Sequence, residues 1–180
     1  NSGDGFNIIY DPNNSSRLYQ IINTGGSRLT ADGATRDNRF GFTNFFPSVG
    51  RHPTTTANLI VGRTDSIFTT SNEGASFTKN NIGGNRRIVY APSNPNTIYT
   101  ANNTSIWKTT NGGTNWSTLH NNTGFPTGGS YTITCLAVNP SNSNRVMVTF
   151  GGFDSTRKVI YSADGGTSWS NFSDGLPNVP

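Results

Sequence analysis

The sequence has few charged residues, one cysteine, one methionine and a single glutamate, Glu73. Only 12% of its 180 residues are charged and 31% are hydrophobic. A lone cysteine excludes an intrachain disulfide, and no apolar run approaches the ~20 residues that a membrane-spanning helix needs. The net charge of +4 comes from dispersed arginines and not from a dense basic cluster. We therefore expect partners other than nucleic acid or membrane.

Residues that favour helices are also scarce, with three lysines and one glutamate in the whole chain. Asn, Ser, Thr and Gly take their place, together with 11% aromatics, which argue against disorder. The composition therefore predicts an all-β fold. In the run Ile133-Thr134-Cys135-Leu136 the cysteine is expected to be a small buried strand residue and not a nucleophile.

A proline followed six residues later by an apolar strand start occurs four times along the chain. The pairs are Pro12 and Leu18, Pro53 and Leu59, Pro92 and Ile98, and Pro140 and Val146. Each copy reads as a short strand, a polar turn and a second strand. Repetition of one such unit is the signature of repeat architectures.

A second repeated element follows three of these prolines and has the pattern S/T-x-D/N-x-G-x-S/T/N-W/F. We expect a hairpin turn, because Asp or Asn bonds backbone N–H groups, glycine accepts positive φ and the aromatic packs between sheets. A degenerate copy, Thr30-Ala31-Asp32-Gly33, follows the first proline. The residues given this structural role are Thr70, Asn72, Gly74 and Phe77; Thr109, Asn111, Gly113 and Trp116; and Ser162, Asp164, Gly166 and Trp169.

Each repeat parses into four strands over roughly 40–45 residues, the size of a β-propeller blade. The sequence predicts four-stranded antiparallel blades at about 1–46, 47–84, 85–130 and 131–174, with 175–180 beginning a further blade. We favour part of a larger ring; assembly with other copies of the chain and a rare four-bladed ring are the alternatives. Without an initiator methionine or a leader, the chain is expected to be a mature or excised piece.

The segment VYAPSNPNTIYTANNTSIWKTTNGGTNWSTL resembles the BNR/Asp-box propellers. This group includes sialidases, sortilin/Vps10 domains, family 74 xyloglucanases and secreted bacterial proteins of unknown role. The resemblance extends over the whole chain and implies a propeller, whereas one fold serves enzymes, receptors and assembly factors alike. With the polar, lysine-poor composition, we expect a secreted or cell-surface protein, or a periplasmic one.

Propeller topology indicates where a ligand would bind. If the first strand of each blade lines the central channel, the loops between second and third strands and those between blades share one face. That face gathers charged and aromatic side chains, on a rigid scaffold that suits recognition. The ligand-face candidates are Arg63, Arg86, Arg87, Tyr131, Phe153 and Arg157.

Two classes of function fit this arrangement, and we favour a non-catalytic binding or scaffold module for a carbohydrate or a protein partner. The alternative is a glycoside hydrolase, which needs two carboxylates roughly 5–9.5 Å apart. Gly62-Arg63-Thr64-Asp65 resembles a segment that holds a catalytic aspartate in family 74 enzymes, and implies Asp65 as general base. The partner acid of that family lies in a second propeller. No catalytic residue is assigned; the candidates are Asp65, Asp4 and Asp154.

Other chemistries are less favoured. A sialidase needs a glutamate beside its tyrosine nucleophile, and Glu73 lies within a repeated turn instead. His52 and His120 stand alone, without a second histidine at a ligand spacing, so no metal and no cofactor are expected.

Overall fold

The computed structural model describes residues 5–11, 14, 17–22, 25–30, 36–41, 48–63, 66–83, 87–128, 130–153 and 157–177. Sixteen strands and no helix lie within these ranges. None of the described residues forms a helix long and apolar enough to cross a membrane. The chain divides into two compact units, Asn1–Arg86 and Arg87–Pro180. Each unit contains two four-stranded sheets.

The first unit holds sheets 1 and 2, each an antiparallel meander in chain order. Sheet 1 consists of β1 (Gly5–Tyr10), β2 (Arg17–Ile22), β3 (Gly25–Thr30) and β4 (Arg36–Gly41). Sheet 2 consists of β5 (Ser48–Arg51), β6 (Leu59–Gly62), β7 (Ile67–Thr70) and β8 (Thr78–Asn80).

The second unit repeats this arrangement in sheets 3 and 4. Sheet 3 consists of β9 (Arg87–Tyr90), β10 (Ile98–Ala101), β11 (Ile106–Thr109) and β12 (Ser117–Thr118). Sheet 4 consists of β13 (Thr132–Asn139), β14 (Asn142–Gly151), β15 (Val159–Ser162) and β16 (Ser170–Asn171). The predicted all-β fold of four-stranded antiparallel sheets is confirmed.

The four prolines set one register for the first two strands of every sheet. The residue two before the proline pairs with the residue six after it, as in Tyr90 with Ile98 and Val138 with Val146. The same rule pairs Tyr10 with Leu18 and Arg51 with Leu59. Because side chains alternate between the faces of a strand, equal register puts equivalent residues on equivalent faces. We call the face with even offsets from the proline the even face, and the other the odd face.

Packing in the second unit joins the odd face of sheet 3 to the even face of sheet 4. Tyr99, on the odd face, is fully buried in one cluster with Leu136, Val146 and Val148 of the even face of sheet 4, and Val89 packs against that cluster. The Tyr99 hydroxyl donates to the backbone carbonyl oxygen of Ser143 at 2.9 Å. Burying a large apolar side chain stabilises the folded state by about 1.5–3 kcal/mol. The packing of sheet 3 on sheet 4 therefore forms the hydrophobic core of the unit.

The first unit shows the same order of faces. Tyr19, on the odd face of sheet 1, is buried, and Arg51 lies on the even face of sheet 2. The Arg51 guanidinium donates to the Tyr10 carbonyl oxygen at 3.1 Å and to Asp11 Oδ1 at 2.7 Å. An ion pair therefore holds the proline-side turn of sheet 1 against sheet 2.

One sequence expectation fails in β13, where Cys135 is exposed and not buried. A β-bulge shifts the register between Ile133 and Cys135. The extra residue puts Leu136 in the core instead, and Cys135 joins the odd face of sheet 4 opposite Thr149. The apolar run predicted a strand buried throughout, whereas the core covers one face of β13 and the bulge leaves Cys135 on the other.

Candidate functional site

Three hairpin turns, at residues 70–77, 109–116 and 162–169, carry the repeated pattern and share one hydrogen-bond scheme. We call them the repeated turns. In the last, the Ser162 hydroxyl donates to Asp164 Oδ1 at 2.8 Å and accepts the Gly166 N–H at 2.7 Å. Asp164 Oδ1 also accepts the Ser168 N–H at 2.9 Å. Thr70 and Asn72, and Thr109 and Asn111, make the equivalent bonds in the other two turns.

These hydrogen bonds favour the ionised form of Asp164, the one carboxylate that takes part in them. Hydrogen bonds from the Ser168 hydroxyl and backbone N–H, and then from Ser162, lower the pKa of Asp164 to about 2. Asn72 and Asn111 accept the equivalent backbone hydrogen bond with an uncharged amide oxygen. The oxygens of all three side chains are occupied inside their turns, which is the geometry of a structural role.

The aromatic that ends each repeated turn packs in a different way. Phe77 meets Phe68 edge-on at a centroid distance of 6.4 Å. Trp116 donates its indole N–H to the Gly113 carbonyl oxygen at 3.0 Å. Trp169 is buried in the core of the second unit, edge-on to Phe125 at 5.8 Å.

A loop of the second unit, residues 151–158, brings together several ligand-face candidates. We call it the Phe153 loop; its residues 154–156 lie outside the described residues. Phe153 is 71% exposed, the highest value among the large hydrophobic side chains described. Lys158 is buried and donates its ammonium to the carbonyl oxygen of Gly152, the residue before Phe153. The backbone next to the exposed ring is therefore anchored.

The segment before β13 supports the same loop. Gly152 has a φ of +109°, and a Cβ there would lie 2.4 Å from the Ser130 carbonyl oxygen, so only glycine permits this approach. Tyr131 packs edge-on against Phe150 at 5.1 Å and donates its hydroxyl to the Pro126 carbonyl oxygen at 2.9 Å. Burial raises the pKa of Tyr131, and the positive charge of Arg157 opposes that rise. Arg157 is thus within electrostatic reach of Tyr131.

The remaining candidates of the ligand face have structural contacts or lie outside the described residues. Arg87 donates its Nε–H to the Thr134 carbonyl oxygen at 2.7 Å and so ties β9 to the bulge of β13. Arg63 stacks its guanidinium over the Phe68 ring, 5.4 Å from the centroid. The backbone N–H of Arg63 donates to the Ser66 carbonyl oxygen at 2.8 Å. Arg86, Asp4, Asp65 and Asp154 lie outside the described residues, as does most of the degenerate turn at 30–33.

Sequence reasoning missed a polar groove of about 370 Å³ beside the repeated turns of the second unit. Its lining includes Lys108, Asn111, Asn122 and Thr167. The Lys108 ammonium lies 5.6 Å from the centroid of the Tyr99 ring and donates to Asn144 Oδ1 at 3.4 Å. Burial lowers the pKa of Lys108, while Asp164 opposes this. Residues of β11, β12 and the turn between them line the groove together with Gly165 and Thr167 of the last repeated turn. The groove depends on two turns that are far apart in the sequence, so the local motif alone did not predict it.

The described part of the chain contains no group of three His, Cys, Asp or Glu side chains that could bind a metal ion. The Nδ1 atom of His52 instead accepts the Thr55 N–H at 3.0 Å. His120 packs edge-on against Trp107 at 5.5 Å.

A family comparison agrees with this fold. The family model described as Sortilin, neurotensin receptor 3 (Sortilin-Vps10) matches residues 57–179, which is more than half of the chain. The chain belongs to the Sortilin-Vps10 family. The resemblance to BNR/Asp-box propellers is thereby confirmed. No curated protein sequence matches this Sortilin-Vps10 chain significantly.

Solved structures similar to the Sortilin-Vps10 chain are β-propellers. A GH74 enzyme from Niastella koreensis is 24% identical with a TM-score of 0.71, covering 91% of this chain and 28% of its own. The GH74 xyloglucanase from Xanthomonas campestris is 14% identical with a TM-score of 0.77, covering 98% and 31%. YCF48 bound to D1 peptide is 16% identical with a TM-score of 0.66, covering 98% and 56%.

These likenesses show the propeller fold and not a shared activity. The Sortilin-Vps10 chain spans 28%, 31% and 56% of the lengths of these three structures. Its four sheets therefore correspond to part of each of those propellers.

Proposed function

We propose that this chain is an extracellular, non-catalytic binding module that recognises a carbohydrate or a protein partner through the Phe153 loop. The observation that carries the proposal is the 71% exposed Phe153 ring, next in sequence to Gly152, whose carbonyl oxygen the buried Lys158 holds. An aromatic ring held out to solvent loses little further freedom on binding, and it offers a face for stacking on a sugar or a peptide side chain.

Charge and hydrogen-bonding capacity beside the ring support the same function. Arg157 is half-buried and lies within electrostatic reach of Tyr131, so the loop that carries Phe153 also carries a positive charge. Arginine and aromatic side chains are the types most often found at the energetic centre of interfaces. Two comparisons support a protein partner. The family description names a neurotensin receptor, and the similar structure of YCF48 is bound to D1 peptide.

Binding to a glycan array and to a peptide array, followed by calorimetric titration of the hits, tests the proposal. Phe153→Ala and Arg157→Ala should each weaken binding about tenfold or more. Tyr10→Ala is the matched control, because Tyr10 is an aromatic residue that is 67% exposed in the first unit. Equal affinity of the wild type and both loop variants for every hit would refute the role of the loop, and the class of hit decides between carbohydrate and protein.

A glycoside hydrolase is the second candidate, because Gly62-Arg63-Thr64-Asp65 resembles a segment of family 74 enzymes. Asp65 would act as general base with the acid supplied by another part of the protein or by a partner. The test is hydrolysis of a β-glucan panel by the wild type and by Asp65→Ala. Turnover that Asp65→Ala leaves unchanged removes this candidate.

A further inference from the structure

The polar groove of the second unit is formed by two sheets that pack on each other. Its walls come from β11, β12 and the turn that joins them, and from Gly165 and Thr167 of the last repeated turn. Sheets 3 and 4 share one hydrophobic core, so the groove is not the uncovered face of a terminal sheet. Its volume of about 370 Å³ is within the range of small-molecule sites. The side chains that line it therefore indicate what kind of ligand fits.

The repeated turn that lines the groove differs from the other two in one hydrogen bond. In the turns at 70–77 and 162–169, the third side chain bonds the hydroxyl of a serine at the seventh position, at 2.8 and 2.6 Å. In the turn at 109–116 the seventh residue is Asn115. Neither its side-chain amide nor the Nδ2 atom of Asn111 bonds another described residue. This turn therefore presents two amide groups to the groove that its own scheme does not use.

Strand β12 adds two hydroxyl groups to the same surface. Ser117 and Thr118 are exposed and line the groove, and their side chains form no hydrogen bond with another described residue. Amide and hydroxyl groups both donate and accept hydrogen bonds, as the hydroxyl groups of a sugar do. Leu119 is the one large apolar side chain among the lining residues. The lining therefore favours a polyhydroxylated ligand over an apolar side chain of a peptide.

Lys108 is the one charged residue among those that line the groove. Its half-buried ammonium contacts the Tyr99 ring, and among the described residues Asn144 Oδ1, at 3.4 Å, is its one hydrogen-bond acceptor. Asp164 lies within electrostatic reach of Lys108, but it is not a lining residue and its oxygens accept hydrogen bonds inside its own turn. A carboxylate in the groove would give the ammonium the strong, charge-assisted hydrogen bond that these contacts do not provide.

We propose that the polar groove binds a saccharide that carries a carboxylate group. The Lys108 ammonium binds the carboxylate, and the amides of Asn111 and Asn115 bind hydroxyl groups of the sugar together with the hydroxyls of β12. The groove shares no lining residue with the Phe153 loop. This site goes beyond the proposed function and does not depend on it.

Titration calorimetry of the 180-residue chain with digalacturonate and dimannuronate is the first test. The methyl esters of the two disaccharides are matched probes, because esterification removes the charges and keeps the hydroxyl groups of the sugar rings. At least one of the acids should bind, and its ester should bind about tenfold more weakly, since it cannot form the charge-assisted hydrogen bond. Absence of binding by both acids, or equal affinities of acid and ester, overturns the proposal.

Two further probes separate a saccharide from other carboxylates. Acetate presents the charge without sugar hydroxyl groups, and triglutamate presents it on a peptide. Each should bind about tenfold more weakly than the acidic disaccharide, because neither can use the amide and hydroxyl groups of the groove in the same way. If acetate binds as tightly, the groove takes a simple carboxylate; if triglutamate does, it takes an acidic peptide. Either result overturns the proposal.

Substitutions test whether the ligand lies in the groove. Lys108→Met keeps the aliphatic part of the side chain and should weaken binding of the acid about tenfold or more. Lys79→Met is its matched control, because it removes the same charge from an exposed position in the first unit. Asn115→Ala should weaken binding about threefold or more. Its control is Asn103→Ala, which removes an exposed amide before β11, whereas the groove lies after it.

The result with these variants also separates the groove from the Phe153 loop. Because Asn115 is exposed, its substitution leaves the core intact, and unchanged melting temperatures will verify that both groove variants fold. Binding that Lys108→Met and Asn115→Ala both leave unchanged overturns the groove as the site. If Phe153→Ala abolishes that binding instead, the saccharide binds the Phe153 loop, so that the proposed function stands and this inference fails.

Discussion

The side-chain amide of Asn122 donates to the carbonyl oxygen of Gly166 at 2.7 Å. In the preceding repeated turn the equivalent carbonyl, that of Gly113, accepts the indole N–H of Trp116. Asn122 has therefore taken the acceptor of Trp169, whose buried Nε1–H has no partner within the described part of the chain. The backbone reinforces this link, because the Trp169 N–H donates to the Thr123 carbonyl oxygen at 2.9 Å. The segment after sheet 3 is thus fastened to the last turn of sheet 4.

Asn122→Ala should lower the free energy of unfolding by about 1 kcal/mol, because it removes a hydrogen bond to a half-buried site. Asn121→Ala is the matched control, since its side chain is exposed and its loss should change stability by less than about 0.5 kcal/mol. Urea unfolding of the two variants and the wild type measures the difference. Equal midpoints for both variants would contradict a role of Asn122 in fastening the segment.

Gly124→Ala should be far more destabilising than Gly128→Ala. Both glycines have positive φ, +83° and +79°, so both variants share the cost of a left-handed backbone. A Cβ at Gly124 would lie 1.9 Å from the Trp169 carbonyl oxygen, whereas a Cβ at Gly128 meets nothing within 4 Å. The difference in unfolding free energy should exceed about 2 kcal/mol. Thermal unfolding gives the comparison, and similar melting temperatures would show that the 122–125 segment is not tightly held.

Asp164 should make the last repeated turn sensitive to acid. Its folded-state pKa is lowered from 3.8 to about 2 by hydrogen bonds from Ser168 and Ser162. A depressed folded pKa contributes stability that is present above the unfolded pKa and is lost as the pH falls from about 3.8 through 2. Asp164→Asn should flatten the pH dependence in that window, because Asn72 and Asn111 already hold their turns with an amide. The converse change, Asn111→Asp, should add acid sensitivity; melting temperatures across the window decide.

Glu73→Gly should stabilise the protein by about 0.5–1 kcal/mol. Glu73 has a φ of +58°, at the turn position that Gly112 and Gly165 occupy with φ of +67° and +72°. Glycine removes the left-handed backbone cost, less its own entropy loss on folding. Ala75→Gly, in the same turn, gains nothing from glycine and should destabilise. A melting temperature that falls for both variants would contradict this account.

The fold could be predicted from the sequence because its signals are local and repeated. The prolines set turn positions and register, and the Asn/Asp, Gly and Trp/Phe positions set the third hairpins. Four copies of the proline-led unit support the prediction of the fold even where the pattern in one copy is weak. Strand ends were less predictable: β14 begins at Asn142, before the apolar start at Val146, and β12 and β16 have two residues each.

The candidate site was less predictable because it depends on contacts between distant segments. Propeller topology alone predicts that Phe153 and Tyr131 share a face, whereas the hydrogen bond from Lys158 to Gly152 requires the folded chain. Arg87 was expected to face a ligand, because arginine is common at binding sites. Its Nε–H instead donates to the backbone carbonyl oxygen of Thr134. The bulge that exposes Cys135 likewise leaves no mark on the hydrophobic pattern.

Counting from a proline has a consequence for insertions and deletions. Removing one residue between Pro92 and Ile98 would turn every later side chain of β10 over, so that the hydroxyl of Tyr99 would leave Ser143 and the core would lose the Tyr99 ring. Lengthening the chain beyond Ala101 or Gly151, where the strands end, leaves the count intact. An insertion there would leave the strand register unchanged, whereas an insertion within a six-residue span after a proline would shift it.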